Sequence, residues 1–278
     1  MNNIPTLDIR RFDSERELFV TELGAACRQF GFCCISAHGI SRELIHGAYA
    51  VFKRLFDLPV ETKMKYHLPG GDGQRGYTPA RAQSVDDRQY AGLAQHSESW
   101  RLGREVDPAS ALAVSIPLNI WADEVAELKQ YGYGLYDAFD RLAARLLHGL
   151  ALDAGLPERH FADLTRVGDS TLRAIHFPPL PTSNLADVLF SSHKDSHFAT
   201  LLPGSDAEGL EVLTHDGNWL PVTPQDDAIV FNVGDMLQHA SHHTFASATH
   251  RAVIASRENT RRPRYLLPFS LYPSSPTV

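Results

Sequence analysis

The amino-acid sequence predicts a mainly β protein with helices: a double-stranded β-helix (jelly roll) core, flanked by N-terminal helices and one long central helix. From residue 170 onward, short runs rich in β-branched and aromatic residues alternate with Pro, Gly, Asp and Asn. The first group favours strands and the second favours turns. The runs are TLRAIHF, HFATLL, GLEVLT, WLPV, DAIVFNV, ATHRAVI and RYLLPF. Seven such strands after a helical region are typical of a double-sheet jelly roll.

The first quarter of the chain is predicted to supply two strands and two helices. IPTLDI and residues 32–37 are short and apolar, as strands are. Between them, Phe19, Leu23, Ala26 and Phe30 recur at helical spacing until Gly31. Ser41, a residue that favours helix N-caps, is expected to open the second helix. The buried face of that helix would be formed by Ile45, Tyr49, Phe52 and Phe56.

The middle of the chain divides into a loop-rich stretch and a helix. Residues 68–117 are rich in Gly, Pro, Gln and Ser, so we expect loops with short strands there. Residues 121–154 carry apolar side chains on one helical face, and Leu142 and Leu146 should be buried against a sheet. The chain 1–278 is thus predicted to be one domain, with an N-terminal region (1–118), a long helix (119–156) and core strands (170–272).

Composition and charge exclude several kinds of partner. The 26 basic and 33 acidic residues give a net charge of −7, and no run of basic residues is long enough to bind along a phosphate backbone. We therefore expect no nucleic-acid partner. The N-terminus lacks the apolar run of a signal peptide, and no 18 consecutive residues are apolar. We therefore expect a soluble cytoplasmic protein without a membrane partner. The three cysteines fit neither a disulfide framework nor a zinc site, and the sequence does not define an oligomeric state.

Three residues, His193, Asp195 and His250, are candidate metal ligands. In an extended strand, side chains at i and i+2 share a face, so His193 and Asp195 would project together. His250 would arrive from another strand, within FASATHRAV. Two imidazoles and one carboxylate on one side of a metal leave other positions open, as in non-haem Fe(II) oxygenases. Because the chain has 14 histidines, an HxD pair alone is a weak signal.

The surrounding sequence resembles the isopenicillin N synthase-like branch of the Fe(II)/2-oxoglutarate-dependent oxygenases, over nearly the whole chain. The similar segments include IPTLDI, RQFGFCCISAHGI, GYTPAR, HKDSHFATLL, FNVGDMLQHASHHTFASATHRAV and RYLLPFSLYP. The resemblance implies that His193, Asp195 and His250 bind Fe(II) and are the catalytic centre, and that Arg264 anchors the far carboxylate of 2-oxoglutarate. It also implies that O2 is consumed, that 2-oxoglutarate becomes succinate and CO2, and that a substrate is oxidised.

Two positions depart from the pattern of this family. A hydroxyl usually follows the arginine by two residues, and a tyrosine usually ends the strand that here reads RAIHFPP; these positions hold Leu266 and Phe177. We expect Arg264 to bind the carboxylate through its planar fork. His176, Thr200 or Ser270 could supply the missing hydrogen bonds.

These departures leave alternatives open. A 2-oxoglutarate-independent iron oxidase of the isopenicillin N synthase type is the first. A zinc hydrolase also fits two histidines and an aspartate, although HExxH is absent. A non-catalytic small-molecule binder is the third.

The substrate is expected to be a small molecule, a specialised metabolite or an amino-acid-like compound, since no repeat or basic surface indicates a polymer. Its predicted contacts are His197, Tyr77, Arg81 and Arg101. Hydroxylation is the default outcome that the resemblance implies, with desaturation or cyclisation as other outcomes of the family.

Overall fold

Two β-sheets that face each other across a cavity form the centre of the structure, a computed structural model. It describes residues 3–71, 73–80, 97–179, 188–225, 227–254 and 262–274. Within these residues, the larger sheet has nine strands: β1 (Thr6–Asp8), β2 (Phe32–Ser36), β3 (Gly76–Thr78), β4 (Glu98–Gly103), β5 (Thr171–Phe177), β7 (Ala199–Pro203), β10 (Ile229–Val233), β12 (Arg264–Leu266) and β13 (Phe269–Leu271). The smaller sheet has four: β6 (Val188–His193), β8 (Leu210–Leu213), β9 (Trp219–Pro221) and β11 (His250–Val253).

The strand orders confirm the predicted jelly roll. The larger sheet runs β1-β2-β10-β7-β13-β5-β4-β3, with β12 also paired to β5, and the smaller sheet runs β6-β11-β8-β9. Only the β1–β2 pair is parallel among the described pairs. Because β1 to β4 join the larger sheet, the core extends beyond the predicted range of 170–272.

Strand β5 shows how the larger sheet separates two environments. Successive side chains of a strand point to opposite faces. Arg173 and Ile175 line the cavity, whereas Leu172 and Ala174 belong to the apolar core beneath the helices. Neighbouring strands follow the same alternation, so a residue's position in its strand determines whether its side chain faces the cavity or the apolar core.

The helices cover the outer face of the larger sheet. Within the described residues they are α1 (Arg11–Ser14), α2 (Arg16–Gln29), α3 (Arg42–Phe56), α4 (Val60–Met64), α5 (Gly134–Asp153), α6 (His160–Thr165) and α7 (Asp235–Ala240). Ser41 caps α3 as predicted, because its side chain accepts a hydrogen bond from the Leu44 amide at 3.1 Å. In the described part of the chain, none of these helices has both the length and the apolar character that a membrane span requires.

The long helix is shorter than predicted. Helix α5 starts at Gly134, after a π-helical turn at Lys129–Tyr133, and residues 121–127 form turns and irregular structure rather than helix. Glycine disfavours regular helix. At Gly132, a Cβ would lie 3.0 Å from Cδ1 of Leu102, so a larger residue there would require the Leu102 side chain to shift. The predicted burial is correct, since Leu142 is 5% exposed and Leu146 is 0% exposed.

We predict that Leu146→Ala lowers the free energy of unfolding by about 2–5 kcal/mol, because it removes a fully buried side chain from the α5–sheet contact. Urea denaturation would measure the loss. Leu18→Ala is the control, because Leu18 lies on α2 and is 50% exposed. Equal losses in the two variants would contradict the packing of α5 against the sheet.

Candidate active site

A cavity of about 410 Å³ lies between the two sheets. Strands β5, β7, β10, β12 and β13 line one side, and β6, β8 and β11 line the other. The cavity wall includes His193, Asp195, His250, Arg264 and Arg101. Together with His197, Thr200 and Ser270, eight of the residues that the sequence predicts for the site therefore meet in one place.

His193 and His250 face each other across a strand pair. His193 ends β6, His250 begins β11, and the two residues are direct partners in the antiparallel register. Their ring centroids are 4.4 Å apart. Each Nδ1 bonds a main-chain carbonyl, that of Ser191 at 2.7 Å and that of Ala248 at 3.1 Å. A neutral imidazole that donates from Nδ1 presents an unprotonated Nε2, which is the form that binds a metal.

Asp195 completes the candidate metal site from a position beyond the strand. The sequence spacing predicts His193 and Asp195 on one strand, but β6 ends at His193 and Asp195 lies in the connection to β7. Its Oδ1 lies 3.7 Å from His193 Nε2 and 3.8 Å from His250 Nε2. Two donors that bind one ion at about 2.1 Å lie at most about 4.2 Å apart. Both distances lie within this limit, and the three donor atoms, all within 4.8 Å of one another, form the one candidate metal-binding group found among the described residues.

The second oxygen of Asp195 is held by the larger sheet. Asp195 Oδ2 accepts hydrogen bonds from Thr200 Oγ1 at 2.5 Å and from Asn232 Nδ2 at 2.8 Å. His197 Nε2 in turn lies 2.5 Å from Thr200 Oγ1. Partners of this kind fix the orientation of a ligand and tune its affinity for the metal.

The NVGD turn after β10 explains why Asn232 stands where it does. The Asp235 amide donates to the Asp195 carbonyl at 2.7 Å, and the Gly234 amide donates to the Phe198 carbonyl at 3.0 Å. A Cβ on Gly234 would lie 2.0 Å from the His197 carbonyl oxygen, so only glycine permits this approach. The turn thereby fixes the position of the main chain at Asp195.

Electrostatics favour the metal-binding forms of Asp195 and His250. Burial acts to raise the pKa of Asp195, but His197, His250 and the hydrogen bonds from Thr200 and Asn232 hold that pKa below its usual range. Burial lowers the pKa of His250 and of His197. A carboxylate at Asp195 and a neutral imidazole at His250 are the forms that bind a metal.

Arg264 lies at the other end of the cavity, paired with Phe177 across β12 and β5. Its Nη2 donates to the carbonyls of Asp206 at 2.9 Å and Glu208 at 2.7 Å. Burial lowers its pKa, although Asp206 and Glu208 oppose the shift. Leu266 and Phe177 pack with Ile175 in an apolar cluster, so no hydroxyl stands at either position.

The three predicted compensating residues do not surround Arg264. Thr200 bonds Asp195. Ser270 pairs with Thr200 and Thr171, six residues along the chain from Arg264. His176 lies on the opposite face of the larger sheet, where its Nδ1 is 2.8 Å from Glu98 Oε1.

Of the predicted substrate contacts, His197 and Arg101 line the cavity. Tyr77 does not contact it, because its hydroxyl donates to Glu98 Oε2 at 2.6 Å on the opposite face of the sheet. That assignment, like the one for His176, is corrected by the alternation of side chains along the strand. Arg81 lies outside the described residues.

Sequence reasoning missed Arg173 and assigned no role to Asn232. Arg173 stands four residues before Phe177 in β5 and lines the cavity. Residues separated by an even number share a face of a strand, so the prediction for Phe177 already implied this position for Arg173. Asn232 belonged to the FNVGD segment that carried the family resemblance, but its contact with Asp195 depends on the fold.

Comparisons with known proteins agree with this geometry. The family model for the N-terminal part of a non-haem dioxygenase in morphine synthesis matches residues 4–124, and that of the 2OG-Fe(II) oxygenase superfamily matches residues 168–273. Proline hydroxylase buaE of Petromyces alliaceus is 31% identical over 86% of this chain and 76% of its own. The 2-oxoglutarate-dependent dioxygenase htyE of Aspergillus rugulosus is 29% identical over 90% and 80%.

A solved structure extends the similarity to three dimensions. The crystal structure of a protein from Caulobacter crescentus, described as a 2OG-Fe(II) oxygenase family protein, has a TM-score of 0.89 and 32% identity. The match covers 99% of this chain and 88% of that one. The chain belongs to the 2OG-Fe(II) oxygenase superfamily, in its isopenicillin N synthase-like branch. It is a 2-oxoglutarate-dependent dioxygenase that uses Fe(II), 2-oxoglutarate and O2, and the 2-oxoglutarate-independent alternative is not favoured.

We predict that Asp195→Ala and His250→Ala abolish stoichiometric Fe(II) binding while the far-UV circular dichroism is retained. Asn232→Ala should lower the affinity for Fe(II) about 10- to 100-fold, because it removes a hydrogen bond that orients Asp195. Anaerobic titration and metal analysis would measure both effects. Asp216→Ala, at an exposed turn, is the control. Full iron occupancy in Asp195→Ala would refute the ligand assignment.

A second prediction concerns the pH dependence of stability at Asp206. Burial raises the pKa of Asp206 to about 7, despite hydrogen bonds from the Tyr49 hydroxyl and the Leu267 amide. Because this folded pKa exceeds the unfolded one, the neutral form stabilises the fold at low pH, and that contribution is lost as pH rises through about 7.

Asp206→Asn is neutral at every pH. The free energy of unfolding of the parent, relative to that of the variant, should therefore fall by on the order of 2 kcal/mol between pH 5 and pH 8. Denaturation at the two pH values would measure the change, with exposed Asp216→Asn as control. Parallel pH profiles for the parent and Asp206→Asn would contradict it.

Proposed function

We propose that this dioxygenase hydroxylates a small molecule bound between its two sheets, with Fe(II) on His193, Asp195 and His250 and 2-oxoglutarate on Arg264. The observation that carries the proposal is that the three donor atoms and the Arg264 guanidinium border one cavity. Its volume of about 410 Å³ suits a small ligand better than a polymer. A specialised metabolite or amino-acid-like compound, oxidised in the cytoplasm, is the substrate class we propose.

When bound, Fe(II) and 2-oxoglutarate together would supply the oxidising power for attack on an unactivated C–H bond. The chain's own contribution begins with the metal ligands. The carbonyls of Ser191 and Ala248 fix the two imidazole rings, and Thr200 and Asn232 fix the carboxylate. With one side of the metal so occupied, the other side is left for the co-substrate and O2.

Arg264 would hold the far carboxylate of 2-oxoglutarate. Among the described residues, the hydrogen bonds of its guanidinium involve Nη2. A carboxylate is matched bidentately by Nε with Nη2 or by Nη1 with Nη2, so the two carbonyls occupy the nitrogen that both edges share. They fix the plane of the guanidinium, and Nε or Nη1 would donate to the carboxylate of 2-oxoglutarate.

Apolar side chains would keep water away from the co-substrate. Ile175, Phe190 and Leu266 line the same cavity as Arg264 and the metal ligands, and Phe177 packs edge to face against Phe190. In such surroundings the attraction between a guanidinium and a carboxylate is stronger than in water. This strengthening supports binding of 2-oxoglutarate by Arg264 without the hydroxyls at positions 177 and 266.

We predict that Leu266→Ser tightens 2-oxoglutarate binding by on the order of 1 kcal/mol, because residues 264 and 266 share a face of β12 and the new hydroxyl can reach the same carboxylate. Arg264→Leu should weaken binding far more, since the buried carboxylate would lose its cation. The measurements are apparent 2-oxoglutarate affinity and succinate release, in Fe(II) and air.

Leu266→Ala controls for the lost apolar packing, because it shortens the same side chain without adding a hydroxyl. Substrate oxidation that proceeds equally well without any 2-oxo acid would refute the role of Arg264 and the co-substrate assignment together. Tighter binding in Leu266→Ala than in Leu266→Ser would show that space, and not a hydrogen bond, limits affinity.

A further inference from the structure

We propose that the substrate is a small organic anion, a carboxylate or a phosphate monoester, bound by Arg173 and Arg101. This inference rests on the proposed function, since it names the chemical class that the same cavity would accept. Both arginines line the cavity, and nothing in the metal or co-substrate assignments uses them.

The two arginines are direct neighbours in the larger sheet. Arg101 of β4 and Arg173 of β5 are partners in the antiparallel register, so their side chains leave the same face. Arg173 is 9% exposed and Arg101 is half-buried. A bound oxyanion could accept hydrogen bonds from both guanidinium groups.

This arginine pair is separate from the proposed co-substrate anchor. Arg264 is the partner of Phe177, four residues along β5 from Arg173, which corresponds to about 13 Å. The five carbons of 2-oxoglutarate span at most about 6 Å. A co-substrate that reaches from Arg264 to the metal therefore leaves the arginine pair for a second molecule.

Two other charged residues that line the cavity have roles already described. Arg251 lies 2.8 Å from Glu211 and stacks on Trp219, and Asp195 is a metal ligand in the proposed site.

A second cavity of about 280 Å³ gives the anion room. It shares Arg101, Thr171 and Tyr272 with the larger cavity. Arg75, which also lines it, is buried and paired with Asp169. The Arg101 side chain therefore borders both spaces, and a substrate could place its anionic group there while a C–H bond approaches the metal end.

The test is calorimetric binding to protein loaded with Mn(II) and 2-oxoglutarate, which does not turn over. The probes are phenylacetate, cyclohexanecarboxylate, N-acetylproline and phenyl phosphate, each paired with a neutral amide or alcohol of the same shape. At least one anion should bind ten-fold or more tightly than its neutral partner. Arg173→Gln and Arg101→Gln should each remove at least ten-fold of that affinity, and Arg173→Lys should restore part of it.

Controls separate this inference from general charge and from the proposed function. Arg166→Gln removes an exposed positive charge outside the cavities and should leave anion binding unchanged. In Arg173→Gln, 2-oxoglutarate affinity should stay within three-fold of the parent. The relative affinities of carboxylates and phenyl phosphate identify the preferred oxyanion.

Neutral partners that bind as tightly as every anion would overturn the inference, as would anion binding that survives both Arg→Gln substitutions. Either result would leave the proposed function intact, provided that 2-oxoglutarate still binds and is converted to succinate. Failure of the parent protein to bind 2-oxoglutarate would instead contradict the proposed function.

Discussion

The Asp195 carboxylate links the two sheets at the candidate metal site. Its Oδ1 faces His193 and His250 of the smaller sheet, and its Oδ2 accepts hydrogen bonds from Thr200 and Asn232 of the larger sheet. A carboxylate this deeply buried is costly unless it is hydrogen-bonded and paired. The same contacts that compensate for its burial also set the direction of the oxygen offered to a metal. The hydrogen bonds that stabilise the buried charge of Asp195 therefore also fix the position of its side chain in the cavity wall.

The opposite face of the larger sheet has its own buried charge, and its design contrasts with that of the cavity. Glu98 accepts hydrogen bonds from Lys63 at 2.6 Å and from Tyr77 at 2.6 Å, and lies 2.8 Å from His176. Burial acts to raise the pKa of Glu98, but these hydrogen bonds outweigh it and hold the pKa below its ordinary value. The Glu98 carboxylate is thus satisfied by its three neighbours, whereas the donors of the metal site converge on a common point. That difference identifies Glu98 as a structural carboxylate and Asp195 as a functional one.

The sequence was sufficient to predict the metal ligands and the packing of the long helix against a sheet, but not the register of the strands. His193, Asp195 and His250 could be predicted because metal chemistry restricts residue type and spacing, and Leu142 and Leu146 could be predicted from helical periodicity. That His193 and His250 would stand directly opposite each other depends on which strands pair, which local sequence does not specify. The error at His176 was avoidable, because its neighbour Phe177 belonged to the cavity side and adjacent strand residues face opposite ways. The start of α5 at Gly134 could not be predicted in this way, because the apolar periodicity continues through the residues before it.

The positions of Leu266 and Phe177 show how a family scaffold can lose polar groups without losing the arginine they usually accompany. Loss of the hydroxyls leaves Arg264 in an apolar wall, where an unsupported guanidinium would be expensive to bury. The carbonyls of Asp206 and Glu208 supply that support from main-chain atoms, which side-chain substitution cannot remove. Asp206 is itself fixed by the Leu267 amide at 2.8 Å, one residue beyond Leu266. The turn before β8 and the strand that carries Arg264 are therefore connected by hydrogen bonds. The orientation of the Arg264 guanidinium thus does not depend on the side chains at positions 177 and 266.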